Sequence, residues 1–280
     1  MTFEELRAVP AIDFHSHFGP VNCDPADYAP APFENLTAEN LLRSMRLANI
    51  AVSINSHNFA IMPRGGGDVL RGNEMLMESI ASMKGVYGWA VVNPLLPESF
   101  SQARELLKDP KILGIKVHPE EHLYPIREHG EKIYEFAAEV GCTIITHSGE
   151  ANSLPEDFCV FANRYPTVKT ICSHLGCGYD GSYEHQLIAI ERNTADNLYT
   201  DTSSARSVMG NLLEYAVGRV GSEKILFGTD SGYYFSPCQR VRVDGAAISD
   251  DDKLNILCRN ALRIFPFLRE IYEKETSSEA

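Results

Sequence analysis

The hydrophobic residues of this chain fall into short, nearly continuous runs that alternate with segments of helical periodicity. Runs of residues that are apolar on both faces are typical of strands in a parallel sheet that is covered on both sides. The pattern predicts eight such strands, at residues 11–15, 50–54, 87–92, 112–117, 142–146, 168–173, 198–202 and 224–228.

The segments between these runs have apolar residues at helical spacing. Ile133, Phe136 and Val140, for example, share one face of a predicted helix that Gly141 ends. The predicted helices cover 37–48, 73–83, 100–107, 131–140, 157–164, 183–192 and 208–220, with a closing helical segment over 250–258 and 261–265. Eight strand–helix units most economically close into a (β/α)8 TIM barrel, here one domain over residues 1–280. A doubly wound open sheet is the alternative, but no G-x-G-x-x-G turn follows the first strand.

Composition and charge exclude several classes of partner. The chain has 44% hydrophobic and 22% charged residues, a net charge of −13 and no run of lysine or arginine. We therefore expect neither nucleic acid nor an anionic membrane surface as a partner. No apolar run is long enough to span a bilayer, and the first residues lack the apolar core of a signal peptide. The seven cysteines are scattered and lack paired C-x-x-C spacings, which predicts free thiols and a cytoplasmic protein.

The informative polar residues lie where the predicted strands end. His15 and His17 end the first strand, and because residues i and i+2 of a strand point to the same face, their imidazoles project together. The carboxyl ends of all barrel strands form one rim, which holds the active site of such barrels. Residues far apart in sequence are thereby predicted to converge: His15, His17, Lys116, His118, His147, His174 and Asp230.

The remaining histidines are interpreted differently. His57 closes the second strand and is a candidate substrate contact at the rim. His122, His129 and His185 fall in loops or on helices, where a solvated side chain is expected.

Several of these segments together resemble a known family. The segments are 15–17 (HSH), 114–119 (GIKVHP), 146–149 (THSG), 173–176 (SHLG), 227–231 (FGTDS), and the ending 253–257 (KLNIL) and 260–265 (NALRIF). Their order and spacing are similar to those of the amidohydrolase superfamily, and more narrowly to its amidohydrolase-related branch of metal-dependent hydrolases and decarboxylases. The resemblance covers most of the chain.

The resemblance implies a divalent metal held by His15, His17, His147 and Asp230, one zinc ion being expected and manganese or a second metal being the alternatives. Nitrogen donors with one carboxylate suit a catalytic zinc. A metal of this kind lowers the pKa of its bound water to roughly 7. Asp230 would then accept the proton of that water and pass it to the leaving group. The resemblance places His174 beside the water and Asp230, as a proton shuttle or a hydrogen-bond donor to the substrate carbonyl.

Lys116 has three interpretations. In binuclear relatives a lysine on the fourth strand is carbamylated and bridges two metals. The alternatives are a free ammonium group that binds a substrate carboxylate and a buried ion-pair partner. We favour the free lysine, with His118 two residues further on also facing the substrate.

Loop residues are the remaining candidates. Arg64, Arg127 and Arg206 lie in predicted loops over the rim, where a guanidinium group can clamp a carboxylate; Arg206 is our choice among them. Glu150 closely follows His147, and Asp201 is expected either to orient a neighbouring side chain or to cap a turn. The long loops 21–34 and 231–247 are expected to shape the pocket.

These observations together predict a metal-dependent hydrolase of a small amide, lactone or related carbonyl compound. The first alternative is a nonoxidative decarboxylase or hydratase on the same metal site, which a carboxylate-bearing substrate would favour. The second is a noncatalytic metal-binding barrel, although a scaffold has no need of this set of rim residues. The partner expected is a small molecule, and homo-oligomerisation is left open.

Overall fold

The computed structural model describes residues 1–23 and 36–277, with side chains through residue 274. Its strands form one eight-stranded sheet in which every neighbouring pair is parallel and the spatial order follows the sequence. This confirms the predicted (β/α)8 barrel. The strands are β1 (Ala11–Phe18), β2 (Ile50–His57), β3 (Val86–Val91), β4 (Ile112–Val117), β5 (Thr143–Thr146), β6 (Thr170–Cys172), β7 (Leu198–Asp201) and β8 (Ile225–Leu226).

The barrel closes between its last and first strands. The main-chain N–H of Phe14 donates to the carbonyl oxygen of Phe227 at 2.8 Å, and that of His17 donates to Ser231 at 3.1 Å. Between these two contacts the hydroxyl of Thr229 donates to the buried carboxyl group of Asp13 at 2.6 Å. The two strand ends that carry His17 and residue 230 are therefore tied together by main-chain and side-chain bonds.

Helices surround the sheet and connect its strands, as the periodicity predicts. The helices are α1 (Phe3–Ala8), α2 (Ala38–Ala48), α3 (Asn58–Ile61), α4 (Val69–Ile80), α5 (Pro97–Leu106), α6 (Ile126–Val140), α7 (Pro155–Arg164), α8 (His185–Arg192), α9 (Leu212–Val220), α10 (Ser236–Asp244), α11 (Asp250–Leu254), α12 (Asn260–Ile264) and α13 (Leu268–Ser277). Shorter helical turns occupy Pro63–Gly65, Ala205–Val208 and Ser222–Lys224, and Asn255–Arg259 is a π-helical turn. No helix in the described ranges is both long and apolar enough to cross a membrane.

The observed elements differ from the predicted bounds in several places, and two of the differences bear on the site. β1 continues to Phe18, through both histidines rather than ending at the first. The predicted loop 231–247 contains α10, whose buried face includes Gln239, Arg240 and Asp244 and therefore lacks an apolar stripe in the sequence. Residues 24–34 of the other predicted loop lie outside the described part of the chain.

The interior of the barrel is apolar at its amino-terminal end, where the closing helices cover it. Phe265 stacks on Phe14 with ring centroids 5.6 Å apart, and the indole N–H of Trp89 donates to the carbonyl oxygen of Phe14 at 3.2 Å. Leu262 and Leu268 belong to the same buried cluster. Because this end of the barrel is filled, the polar residues face the cavity at the opposite, carboxyl-terminal end.

A buried ion pair ties α10 to the start of the chain and provides a stability prediction. Arg240 and Asp244 are both fully buried and lie 2.8 Å apart, and Arg240 also donates to the carbonyl oxygen of Leu6 at 2.7 Å. Arg240→Ala would leave the Asp244 carboxylate buried, and the ion pair that it keeps among the described residues is the one with Arg7 at 3.4 Å. We expect a loss of about 3 kcal/mol in the free energy of unfolding, measured by denaturant titration.

The control for this variant is Arg71→Ala, because Arg71 forms its ion pairs with Glu74 and Glu78 on an exposed helix face. Exposed pairs contribute about 0–1 kcal/mol. An Arg240→Ala variant as stable as the Arg71→Ala variant would contradict the structural role assigned to the buried pair.

Candidate metal centre

The two histidines of β1 project to the same side and meet at their Nε2 atoms, which lie 3.0 Å apart. Both side chains are buried. The pairing of β1 with β2 shifts register between Asp13 and Ser16, so the strand is irregular where the histidines lie. The convergence predicted from the i, i+2 spacing is thus present in the structure.

Asp230 joins the two histidines from the end of β8. The main-chain N–H groups of Thr229 and Asp230 both donate to the carbonyl oxygen of His15, at 3.1 and 2.8 Å. The Asp230 backbone is in the left-handed region, with φ 52°, and its carboxylate Oδ1 lies 3.1 Å from His17 Nε2 and 3.9 Å from His15 Nε2. Donor atoms of His15, His17 and Asp230 all lie within 4.8 Å of one another.

The protonation of these donors fits a metal, because metal ligands bind in their deprotonated forms. Burial lowers the pKa of His17 to about 4, although Asp230 opposes the change. Burial and then the charge of Lys116 lower the pKa of His15 as well. Burial alone would raise the pKa of Asp230, but His17 above all, and then His15 and His174, hold it well below its ordinary value.

The other ring nitrogen of each histidine is held by a neighbouring strand. His15 Nδ1 lies 3.1 Å from the Asp201 carboxylate, which can only accept, so Nδ1 carries the proton. His17 Nδ1 lies 3.0 Å from the Ser56 hydroxyl and 3.4 Å from the Ser56 carbonyl oxygen. Partners of this kind orient a ligating imidazole and leave its Nε2 lone pair for the metal. Three electron-pair donors therefore face one another, an arrangement that fits a divalent cation.

The amine of Lys116 lies beside the three donors. Its ammonium nitrogen lies 2.8 Å from His15 Nε2, and its side chain is buried. Burial lowers the pKa of Lys116 to about 8, against the opposing charges of Asp230 and Asp201. An amine with this pKa loses its proton more readily than an ordinary lysine. The neutral form is easier to bury than the charged form, which reduces the free-energy cost of burying Lys116.

The remaining predicted histidines form a stacked group beside the three donors. The rings of His118 and His147 are parallel, with centroids 4.2 Å apart. His147 Nδ1 lies 3.0 Å from His174 Nε2, and the centroid of the His174 ring lies 4.9 Å from that of His15. His147 is absent from both groups of mutually close donor atoms found among the described residues, and its Nε2 lies 3.5 Å from the Glu150 carboxylate without meeting hydrogen-bond geometry.

These residues line one cavity of about 300 Å³ at the carboxyl ends of the strands. Arg64, one of the predicted loop arginines, belongs to the cavity wall, where its guanidinium group donates to the buried carboxylate of Glu121. The wall comprises His15, His17, Ile61, Met62, Arg64, Lys116, His118, Glu121, His147, Glu150, His174, Cys177, Ser204, Asp230, Tyr233 and Tyr234.

Two predicted substrate contacts are held elsewhere. The Arg206 guanidinium group donates to the carbonyl oxygens of Gly176, Gly178 and Ser182 at 3.2–3.3 Å and lies over the Tyr183 ring. It braces the loop after β6, so its charge is already satisfied. Neither Arg206 nor His57 is among the residues lining this cavity.

His57 and His122 have structural contacts instead. His57 Nδ1 accepts a hydrogen bond from the main-chain N–H of Phe59 at 3.2 Å, and burial lowers the pKa of His57 to about 4. The expectation that His122 is solvated is wrong, because its side chain is buried and its Nε2 lies 3.2 Å from the carbonyl oxygen of Ala60. A loop position in the sequence does not reveal that another segment, here helix α3, covers the side chain.

Sequence reasoning missed Ser203, Glu121 and the two tyrosines of the wall. Ser203 Oγ contacts the Nδ1 atoms of both His15 and His174, at 2.9 and 2.8 Å. The signal available for Ser203 was its i+2 spacing from Asp201 at the end of β7. Asp201 itself does both things expected of it, since it orients His15 and accepts the main-chain N–H of Ser203 at 3.1 Å.

Comparison with known proteins places the chain in context. A family model described as "Amidohydrolase" (Amidohydro_2) matches residues 12–267. No curated protein matches the chain.

Solved structures share the barrel at low sequence identity. A 2,6-dihydroxybenzoate decarboxylase from Rhizobium superposes with a TM-score of 0.71 at 16% identity, over 92% of this chain and 99% of that one. A dihydroxybenzoic acid decarboxylase from Polaromonas sp. JS666, with bound manganese and the inhibitor 2-nitroresorcinol, gives 0.72 at 18% identity over 93% and 98%. A candidate 2-pyrone-4,6-dicarboxylic acid hydrolase from Pseudomonas putida gives 0.66 at 14% over 92% and 98%. At these identities the likeness shows the shared fold.

Proposed function

The chain belongs to the amidohydrolase family, and on this premise we propose that it is a metal-dependent hydrolase of a small amide, lactone or related carbonyl compound. The observation that carries the proposal is the convergence of His15, His17 and Asp230 within 4.8 Å at the carboxyl rim of the barrel. Two neutral imidazoles and one carboxylate are a common ligand set for a catalytic zinc with an open position.

We propose one divalent ion at this point, zinc by preference for nitrogen donors and manganese as the alternative. His147 is proposed as the fourth ligand, because its buried Nε2 forms no hydrogen bond and lies 3.5 Å from the Glu150 carboxylate. A bound ion of this kind polarises a carbonyl oxygen and makes water a nucleophile near neutral pH. A second ion would require carbamylation of Lys116.

The proposed chemistry of the chain's own residues is proton transfer and charge stabilisation. Asp230 would take a proton from the attacking water and deliver it to the leaving nitrogen or oxygen as the carbonyl–heteroatom bond breaks. Its contact with His17 keeps it ionised and ready to accept. His174 lines the same cavity and is proposed as the second proton-handling residue.

The cavity supports a small substrate that carries a negative charge. Its volume is about 300 Å³, the lower end of the range for ligand pockets. Lys116 and His118 both line the cavity, and none of the ion pairs among the described residues joins Lys116 to a carboxylate. A substrate carboxylate or oxyanion is the partner that we propose for Lys116.

A decarboxylase is the second candidate, and two observations favour it. The solved structures with similar folds are mainly decarboxylases of aromatic acids. Tyr233 and Tyr234 supply aromatic surface in the cavity wall, and Lys116 would hold a carboxylate beside His15. In this reaction a carbon–carbon bond breaks, carbon dioxide leaves, and the ring carbon takes up a proton.

The two candidates are distinguished by their products. Protein loaded with zinc or manganese is incubated in ¹⁸O-water with a panel of small amides and lactones and a panel of hydroxybenzoic acids. Hydrolysis puts one ¹⁸O atom into the product carboxylate and releases no carbon dioxide. Decarboxylation releases carbon dioxide and leaves a solvent hydrogen on carbon. Metal-loaded protein that converts neither panel would contradict both candidates and favour a noncatalytic barrel.

A further inference from the structure

We propose that Ser203 is a positioning residue whose hydroxyl connects the buried Asp201 carboxylate to two histidines and determines which ring nitrogen of each carries the proton. The proposal concerns residues behind the candidate metal site. It rests on the proposed function only in taking a divalent metal as the partner of the unprotonated histidine nitrogens.

The Ser203 hydroxyl lies at the centre of three contacts. Its oxygen is 2.9 Å from His15 Nδ1 and 2.8 Å from His174 Nδ1, and it is in close contact with Asp201 Oδ1. All four side chains are buried. No bulk water is available to exchange with these hydrogen bonds, so the protein must satisfy each donor and acceptor itself.

The direction of each bond follows from the number of hydrogens available. Asp201 also accepts from the main-chain N–H groups of His174 and Ser203, at 3.0 and 3.1 Å, and a carboxylate with such partners has no proton to donate. The single hydroxyl hydrogen of Ser203 must therefore point to Asp201. The hydroxyl lone pairs are then left to accept, which requires Nδ1–H on both His15 and His174.

The tautomer of His147 follows from that of His174. With its proton on Nδ1, His174 presents a lone pair at Nε2, so His147 Nδ1, 3.0 Å away, must be the donor. His147 is then left with an unprotonated Nε2, which lies 3.5 Å from the Glu150 carboxylate and accepts no hydrogen bond. One carboxylate and one hydroxyl thus leave Nε2 unprotonated on two histidines of the cavity wall, His147 and His15, and the Lys116 amine lies 2.8 Å from the Nε2 of His15.

Loss of the hydroxyl has an unequal effect on the two histidines. His15 Nδ1 still contacts Asp201 Oδ2 at 3.1 Å, so its tautomer is held without Ser203. His174 Nδ1 loses its acceptor, and the other tautomer, protonated on Nε2, becomes accessible to it. That tautomer places two donors against each other at the His174–His147 contact and disturbs the free Nε2 of His147.

The first test assigns the histidine tautomers by long-range ¹H–¹⁵N correlation spectra of the metal-free protein with ¹⁵N-labelled histidine. We expect the Nδ1–H form for His15, His174 and His147 in the unmodified protein. In Ser203→Ala, the His174 signals are expected to shift to the Nε2–H form or a mixture, while His15 is unchanged. Finding His174 protonated on Nε2 in the unmodified protein would overturn the proposal, even if the variant did not fold.

The second test measures zinc affinity by competition with a chelator. Outer partners of metal-binding histidines typically contribute about 10–100-fold in affinity, so Ser203→Ala is expected to bind zinc about tenfold or more weakly. Ser203→Thr keeps the hydroxyl and should restore most of that loss. Ser207→Ala is the matched control, because this buried serine donates to the Leu175 carbonyl oxygen at 2.9 Å and accepts from the main-chain N–H of Ser204 at 3.3 Å, neither of which belongs to a site histidine.

Equal zinc affinities for Ser203→Ala and Ser207→Ala, with His174 unchanged, would overturn the proposal. Neither measurement uses turnover. A protein that shows the expected tautomers and zinc affinities but hydrolyses nothing would therefore contradict the proposed function and leave the role of Ser203 supported.

Discussion

Replacing both His15 and His17 by alanine is expected to remove divalent-metal binding from the protein. The two imidazoles supply two of the three donors that converge in the structure, so Asp230 alone would remain of that group. The loss in affinity should exceed the about 10–100-fold that removal of one outer partner costs. Elemental analysis of the purified, zinc-reconstituted variant measures the result, with circular dichroism to confirm the folded fraction.

The control is His129→Ala, since His129 lies on α6 and is not among the residues lining the cavity. About one metal per chain in the control and almost none in the double variant would support the proposed centre. About two in the control would instead favour a carbamylated Lys116. Full metal content in the double variant would show that the ion binds elsewhere.

Asp230→Asn is expected to lower turnover by about 10²–10⁴-fold, the usual contribution of a general acid–base group. An amide cannot take the proton of the attacking water. Asparagine tolerates the left-handed backbone that Asp230 adopts, at φ 52°, so the fold should persist. The measurement is kcat on the best substrate of either panel, together with metal content, because Asp230 is also a proposed ligand.

Asp196→Asn is the matched control, because Asp196 also has a left-handed backbone, with φ 59°, but its exposed side chain pairs with Lys224 away from the cavity. Turnover of that variant should be unchanged. Normal turnover by metal-loaded Asp230→Asn would eliminate Asp230 as the base and require another residue of the wall in that role.

The barrel was predictable because its signal is local and repeated. Each strand is an apolar run next to a segment of helical spacing, and both faces of each strand are covered in the structure. The strand-end rule then located the site, since polar residues directly after an apolar run must lie at the rim. His15, His17 and Asp230 meet there although His17 and Asp230 are 213 positions apart in the sequence.

Tertiary contacts decide what the sequence pattern did not reveal. His122 lies in a loop but is covered by the segment that contains Ala60. Arg206 follows a strand, as the site residues do, but three carbonyl oxygens of the loop after β6 capture its guanidinium group. The helix α10 was predicted as loop because Arg240 and Asp244 are buried as a pair, which no hydrophobic periodicity reveals.

The sequence by itself determined the strand order, the barrel and the set of side chains that reach its carboxyl rim. These follow from hydrophobic periodicity, which acts over a few neighbouring residues. Only the tertiary structure decided which of those side chains point into the cavity and how their protons are arranged. Ser203 is the clearest case, because its role depends on three partners from β1, the end of β6 and β7 that meet only when the barrel closes.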